Sequence, residues 1–160
     1  MEQVNVQDWI GREETHEDYV ARGPVKRLSA MLDRADDSTA KHIPPLGHWL
    51  NFLPGAQQSD LGPDGHPNRG GLIPPLPLPM RMAAGSRLIF HEPIPFGADV
   101  KRVSKIMNIA EKQGRTGPLA FLTYRYQVFN GAMLCVTEEF DVVFREKSGN
   151  AGPMPPGERR

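Results

Sequence analysis

The arginine in Pro79-Met80-Arg81 has the side chain best suited to hold an anionic ligand. A guanidinium presents a fork of donors that matches phosphate oxygens, and Lys101 and Arg102 follow beyond the next predicted turn. The Pro-rich context would hold Arg81 rigid, whereas solvated surface charge is the alternative interpretation. Nearby, Gly85 would let a ligand approach the backbone closely, or it simply permits a tight turn.

A second candidate group is aromatic and lies in an apolar stretch after Pro44-Pro45. If this stretch binds a ligand, Trp49 and Phe52 would form the walls of its pocket and His48 could transfer a proton. Aromatic side chains in such a run also serve as ordinary core, which is the competing interpretation.

Several other reactive residues lack the context that their chemistry requires. One aspartate and one histidine in Asp64-Gly65-His66-Pro67 do not make a metal site, so we predict a turn there and no bound metal. Cys135 falls at a predicted core-facing strand position with no histidine near it in sequence, which argues against a nucleophilic cysteine. Ser86 lacks a GxSxG elbow, which argues against a serine hydrolase. A single cysteine also excludes an intramolecular disulfide and favours a reducing cytoplasm.

The overall charge gives no long-range attraction to nucleic acid or to an anionic membrane. The 160 residues include 19 basic and 19 acidic side chains, so the formal net charge is zero. No apolar run approaches the roughly 20 residues that span a bilayer, and the N-terminus is polar rather than signal-like. We therefore expect a soluble, unexported protein with one domain over residues 1–146 and a flexible tail over 147–160.

The elements that must position these residues can be predicted from periodicity. Helical spacing predicts one amphipathic helix over residues 23–35, preceded by a short strand and turn between Trp9 and Tyr19. A Pro/Gly-rich segment, 54–79, also carries regularly interleaved leucines and is predicted to be packed and rigid. A period of two then predicts antiparallel strands at 86–94, 98–111, 118–129 and 132–145.

The turn between the last two strands is predicted from Asn130-Gly131, a favoured central pair of a two-residue hairpin. That register would place Val128 opposite Met133 and Tyr126 opposite Cys135. Because the apolar phase changes farther along the last strand, we predict a bulge near Glu138-Glu139.

Nearly the whole chain resembles the N-terminal half of MaoC-like dehydratases, most closely the hydroxyacyl-thioester dehydratase type 2 and mesaconyl-CoA hydratase group. The matching strings are Leu32-Asp33-Arg34, Pro45-Leu46-Gly47-His48-Trp49-Leu50-Asn51-Phe52-Leu53-Pro54, Asp64-Gly65-His66-Pro67, Arg69-Gly70-Gly71, Pro74-Pro75-Leu76-Pro77-Leu78-Pro79, Arg81-Met82, Ala84-Gly85, Glu111-Lys112, Gly114-Arg115 and Gly117-Pro118-Leu119. The resemblance implies an α+β hot-dog fold, in which a curved antiparallel sheet wraps around a central helix.

The resemblance also implies a function. Members of this family add water to, or remove it from, an acyl thioester of coenzyme A or acyl carrier protein, with no further cofactor. They are typically double hot-dogs whose catalytic aspartate and histidine lie in the second half, on a motif resembling Asp-x-Asn-Pro-x-His. This chain would then be a substrate-binding half, completed by a second hot-dog chain in a homodimer or with a catalytic subunit.

One pair in this chain has the spacing of that motif. Asp37 and His42 are five residues apart and follow the predicted helix, but Thr39 and Ala40 replace the asparagine and proline. If this pair is catalytic, the chain is a complete homodimeric hydratase or thioesterase; otherwise these residues form a solvated helix exit. A third alternative is a stand-alone acyl-CoA-binding homodimer that performs no catalysis.

Overall fold

The fold is a five-stranded antiparallel sheet with a single α-helix, seen in a computed structural model that describes residues 5–62, 64–115 and 117–147. The strands are β1 (Glu13–Tyr19), β2 (Met80–Phe90), β3 (Asp99–Gly114), β4 (Gly117–Asn130) and β5 (Met133–Arg145), and the helix is α1 (Arg22–Met31). Short 3-10 turns occur at Val6–Trp9, Gly47–Leu50 and Gln58–Asp60. The spatial order β1-β3-β4-β5-β2 and the curvature of the sheet confirm the predicted hot-dog class.

The predicted tail falls almost wholly outside the described residues, which end at 147. Within the described ranges, no helix is long and apolar enough to cross a membrane.

The core lies on one face of the sheet, which we call the inner face. Directly opposed pairs such as Leu122 with Val142 and Ala120 with Phe144 are buried there. Leu76 and Leu78 of the Pro-rich segment pack against these strands and are also buried. The segment predicted to be packed therefore covers part of the inner face, with Leu72 and Ile73 partly buried against the same core.

The helix contributes little to this core. None of its residues is buried, and it lies against the turn Gly47–Leu50 rather than against a strand. It also ends four residues before the predicted Ala35, because Asp33 adopts a left-handed conformation with φ of 52°. The amides of Asp33 and Arg34 donate to the carbonyls of Ala30 and Ser29, which is the pattern of a Schellman C-terminus.

The predicted hairpin turn lies one residue too early, and both predicted pairs are wrong: Val128 lies opposite Val136, and Tyr126 lies opposite Glu138. Asn130 pairs with Met133, so Gly131 and Ala132 form the turn, with Gly131 at a φ of 59°. Gly131 supplies the positive φ, and the turn can therefore form one position later than the Asn-Gly pair suggested.

The predicted bulge is also misplaced. The register shifts at Cys135, between the pairs Phe129–Leu134 and Val128–Val136, and not at Glu138-Glu139. Every second residue from Val136 to Phe144 then shares the inner face, including Glu138, which is 5% exposed. The apolar phase changes between Cys135 and Phe140, and alternation alone does not show which residue of that stretch is the extra one.

Candidate functional site

Two adjoining cavities separate the inner face of the sheet from the chain that covers it. The first, of about 430 Å³, lies beside the turn Gly47–Leu50, and the second, of about 770 Å³, lies beneath residues 52–56 and 66–73. Six residues line both cavities: Phe52, Leu53, Pro54, Arg102, Tyr126 and Phe140. Their combined size and mainly apolar walls are typical of a site for a small organic ligand.

The first cavity contains a buried carboxylate, Glu138 of β5. Its two oxygens accept hydrogen bonds from Ser86 Oγ at 2.7 Å and from Trp49 Nε1 at 3.0 Å. Burial acts to raise the pKa of Glu138, but the nearby His48 ring and these hydrogen bonds outweigh it and hold the pKa below its usual value. Glu138 therefore remains ionised and ties β2 and the Gly47–Leu50 turn to β5.

His48 lies beside this carboxylate but outside hydrogen-bonding distance. Its Nε2 is 3.7 Å from Glu138 Oε2, and it is one of the buried polar atoms without a partner in the described part of the chain. The turn that carries His48 begins at Leu46, whose φ is 67°, and the amide of Gly47 donates to the carbonyl of Pro44. This turn places His48 and Trp49 next to each other at the cavity wall.

Phe52 forms a wall common to both cavities and has an unusual backbone. Its φ is 57°, a left-handed value that is uncommon for an aromatic residue. Asp18 holds it there, accepting from the Phe52 amide at 2.6 Å and from Asn51 Nδ2 at 3.3 Å. Although burial opposes it, these hydrogen bonds lower the pKa of Asp18, so the charge that fixes Phe52 persists at neutral pH.

Two stacked tyrosines form the floor of the larger cavity. The rings of Tyr124 and Tyr126 are 5.9 Å apart and nearly parallel. Burial raises the pKa of Tyr126 to about 12, and it raises the pKa of Tyr124 as well. Both phenols are therefore neutral at physiological pH, and each can donate a hydrogen bond.

The structure brings some of the sequence-predicted site residues together. His48, Trp49 and Phe52 line the first cavity. Arg81 lines the second cavity, where its Nε donates to Asp64 Oδ2 at 3.0 Å. Gly85 lines neither cavity; it lies beside a register shift in β2, opposite Asp141.

The pair Asp37 and His42 lies elsewhere, in a surface pocket of about 460 Å³ beside α1. Asp37 Oδ1 accepts hydrogen bonds from the amide and hydroxyl of Thr39, which lower its pKa. His42 forms an isolated bridge with Pro95. Elsewhere too, the ranges that the structure describes contain no cluster of three or more histidine, cysteine or carboxylate side chains able to hold a metal ion.

Sequence reasoning missed the carboxylate and hydroxyl groups of the site, namely Glu138, Ser86, Ser104, Tyr124 and Tyr126. The available signal was the alternation of β4, whose even-numbered residues from 120 to 128 pack with the core or line the cavities. Extending that alternation to β5 from Phe144 backward would have placed Glu138 among them. Lys101, grouped with Arg102 by sequence, points to the opposite face because adjacent strand residues alternate.

Comparisons with known proteins agree with this architecture. Residues 46–159 match the family model described as hydroxyacyl-thioester dehydratase type 2. The chain is similar to mesaconyl-C(4)-CoA hydratase of Chloroflexus aurantiacus, with 46% identity over 149 residues, which are 92% of this chain and 52% of that protein. The chain thus spans about half the length of this curated relative.

Solved structures show the same fold at low sequence identity. A MaoC-like dehydratase from Phytophthora capsici superposes with a TM-score of 0.60 and 18% identity, covering 96% of this chain and 54% of that one. The HadBC 3R-hydroxyacyl-ACP dehydratase complex of Mycobacterium tuberculosis gives 0.55 and 12%, covering 87% of this chain and 99% of that one. By its fold and its family match, this chain belongs to the hydroxyacyl-thioester dehydratase type 2 family.

Proposed function

We propose that this chain is the substrate-binding half of an acyl-thioester hydratase or dehydratase and that a second hot-dog chain supplies the catalytic residues. The observation that carries the proposal is a strong match to one half of a hydratase, in a chain where Thr39 and Ala40 replace two residues of the family's catalytic motif. The substrate would be an enoyl or 3-hydroxyacyl thioester of coenzyme A or a carrier protein, and no other cofactor is required.

The cavities support binding better than they support catalysis. Hydration needs a carboxylate or imidazole that activates water and a group that protonates the α-carbon. Glu138 is already hydrogen-bonded by two side chains, and its lowered pKa makes it a weak base. The apolar walls around it suit an acyl chain, with Trp49, Phe52 and Phe140 as contacts.

The edges of the sheet support pairing with a second hot-dog chain. Strand β2 is an edge strand of 11 residues, and the side chains of Met82, Ile89 and Phe90 are about half exposed along it. A long, weakly charged edge is a template for another strand.

Proton-transfer chemistry on thioesters, together with a buried unpaired cysteine, also fits a cytoplasmic location.

The proposal is tested by following the conjugated-thioester absorbance of crotonyl-CoA and mesaconyl-CoA. The purified chain alone should bind these thioesters without turnover, and turnover should begin on adding a hot-dog chain that carries the Asp-x-Asn-Pro-x-His motif. The control is the same partner with the motif's aspartate changed to asparagine, and this variant should give no turnover. Full turnover by the chain alone would contradict the proposal that a second chain supplies the catalytic residues.

A second candidate function is a complete homodimeric hydratase or thioesterase that uses Asp37 and His42. The observation in its favour is that both residues line one surface pocket. In that case Asp37→Asn would abolish the turnover of the chain alone. Binding without turnover in the presence of every catalytic partner would instead favour a non-catalytic acyl-CoA-binding homodimer.

A further inference from the structure

The larger cavity is covered on one side by a stretch of chain that is anchored at both of its ends. At its start, the Phe52 amide donates to Asp18 Oδ2 at 2.6 Å. At its end, the guanidinium of Arg69 donates three hydrogen bonds to backbone carbonyls of the Pro-rich segment. We call the residues between these two anchors, 53–62 and 64–68, the flap.

The flap forms part of the cavity wall but belongs to no buried core. Residues 53–56 and 66–68 line the larger cavity, whereas every residue from 53 to 61 is exposed to solvent. None of the described flap residues is a member of either cluster of buried hydrophobic side chains. Moving the flap away from the sheet would therefore leave the core packing intact.

The backbone hydrogen bonds of the flap join its own residues to one another. The amide of Gly62 donates to the carbonyl of His66, and the amide of Asn68 donates to that of Asp60. Among the described residues, no backbone hydrogen bond joins the flap to a strand. The flap is thus a self-contained loop that can keep its internal structure while it moves.

Within the part of the chain that the structure describes, one ion pair connects the flap to the sheet. Arg81 Nε, on β2, donates to Asp64 Oδ2 at 3.0 Å. The two side chains are 14% and 22% exposed, so solvent screens this pair less than a fully exposed one. Asp64 Oδ1 also accepts from the amide of His66 at 3.2 Å, which fixes the carboxylate within the flap.

We infer that the flap opens and closes over the larger cavity, and that the ion pair between Asp64 and Arg81 is the latch that holds it closed. Opening breaks this one ion pair and no core contact, so it costs far less than unfolding of the chain. The inference rests on the proposed function for the identity of the ligand, because the flap would control entry of the thioester to the same cavity.

Opening of the flap can be measured without any ligand, from the reactivity of a thiol placed beneath it. Ser104 lies on β3, lines the larger cavity and is 1% exposed, so Ser104→Cys puts a thiol behind the flap. Methyl methanethiosulfonate then modifies this thiol when the flap opens. Cys135 is fully buried and lines neither cavity, so its modification reports unfolding of the whole chain in the same sample.

In the Ser104→Cys protein, Asp64→Asn should accelerate modification of the introduced thiol by about fivefold or more, since it weakens a charge-assisted hydrogen bond. Arg81→Gln should accelerate it similarly. Combining the two substitutions should add nothing further, because both act on the same contact. The matched control is Asp60→Asn, a flap carboxylate that accepts from the neighbouring Ser59, and this change should leave the rate unaltered.

The rates decide whether the latch exists. An unchanged rate in both Asp64→Asn and Arg81→Gln would overturn the inference. Additive acceleration, or equal acceleration at Cys135, would also overturn it, because the substitutions would then act on the stability of the whole chain.

Stopped-flow mixing with crotonyl-CoA separates this inference from the proposed function. If Asp64→Asn accelerates both thiol modification and crotonyl-CoA association, the flap controls entry to the cavity. If crotonyl-CoA binds and its association rate is the same in Asp64→Asn, control of entry is overturned while the proposed function is retained. If crotonyl-CoA does not bind, the proposed function fails, and the thiol rates alone support or overturn the flap and its latch.

Discussion

Glu138 shows how a charged residue inside a strand can organise the wall of a cavity. Its carboxylate joins three separate segments, because Trp49 comes from the Gly47–Leu50 turn, Ser86 from β2 and Glu138 itself from β5. Among the described residues, no strand forms a ladder of backbone hydrogen bonds with this turn, so the hydrogen bond from Trp49 to Glu138 holds it against the sheet instead. We therefore assign Glu138 a positioning role, in which it fixes the side of the cavity that His48 and Trp49 form.

We predict that Glu138→Gln lowers the free energy of unfolding by about 1–3 kcal/mol at neutral pH, because the amide leaves one donor unmatched. The folded-state pKa of Glu138 is below its ordinary value of 4.5, so its stabilisation is present above that value and is lost as the pH falls below it. The difference between the two proteins should therefore shrink below pH 4.5 in urea unfolding.

The matched control is Glu139→Gln. Glu139 is the next residue, faces the other side of the sheet and pairs with Arg87 in solvent. Its replacement should change stability by less than about 1 kcal/mol. A stability loss in Glu138→Gln that does not vary with pH would contradict the assigned role.

At the level of elements, the Pro-rich segment depends on a single arginine. Arg69 Nη1 donates to the carbonyls of Leu76 and Leu78 at 2.7 Å each, and Nη2 donates to that of Pro79 at 3.1 Å. Because prolines have no amide hydrogen, a strand-like ladder cannot supply all the hydrogen-bond donors that the backbone carbonyls of this segment need. The guanidinium also lies over the ring of Phe144, which links the segment to the core.

We predict that Arg69→Lys lowers the free energy of unfolding by about 1.5–3 kcal/mol, because a single ammonium cannot reach three carbonyls in this geometry. Hydrogen exchange at the amides of Leu76 and Leu78 should accelerate relative to the β4 strand. Arg87→Lys serves as the control, since Arg87 is 58% exposed and forms ion pairs with Glu139 and Asp141 at the surface. Unchanged exchange in Arg69→Lys would show that packing of the leucines alone holds the segment.

The sequence predicted these elements unevenly, and the reasons are physical. Alternation in β3, β4 and β5 is strong because one face of each strand is buried, so their positions were predicted within a few residues. Strand β2 was predicted to begin at 86 but begins at Met80, since its burial is too slight to produce a pattern. The bulge at Cys135 depends on which residue the opposing strand skips, and local sequence does not encode that choice.

The candidate site was predicted only in part for a related reason. Residue type identified His48, Trp49 and Phe52, which the structure brings to one cavity, although their role in binding stays a prediction. Glu138 could not be identified by type, because a buried carboxylate is recognised only from the donors around it, and these are distant in sequence.

At the level of the whole molecule, the two edges of the sheet differ in charge. Strand β1 has the sequence Glu-Glu-Thr-His-Glu-Asp-Tyr and so presents acidic side chains along one edge. Strand β2 forms the other edge and is largely apolar. Charged edges resist strand addition and apolar edges favour it, so a second hot-dog chain should pair along β2.

We predict that Ile89→Lys weakens this pairing by about tenfold or more, because it places a charge where an apolar contact would be buried. Sedimentation of the chain, alone and mixed with a catalytic hot-dog chain, measures the change. Tyr19→Lys is the matched control, since Tyr19 is 56% exposed on the opposite edge and Ile89 is 58% exposed. Circular dichroism should show both variants folded. If Tyr19→Lys disrupts association and Ile89→Lys does not, the partner pairs along the acidic edge β1, and the prediction of pairing along β2 is wrong.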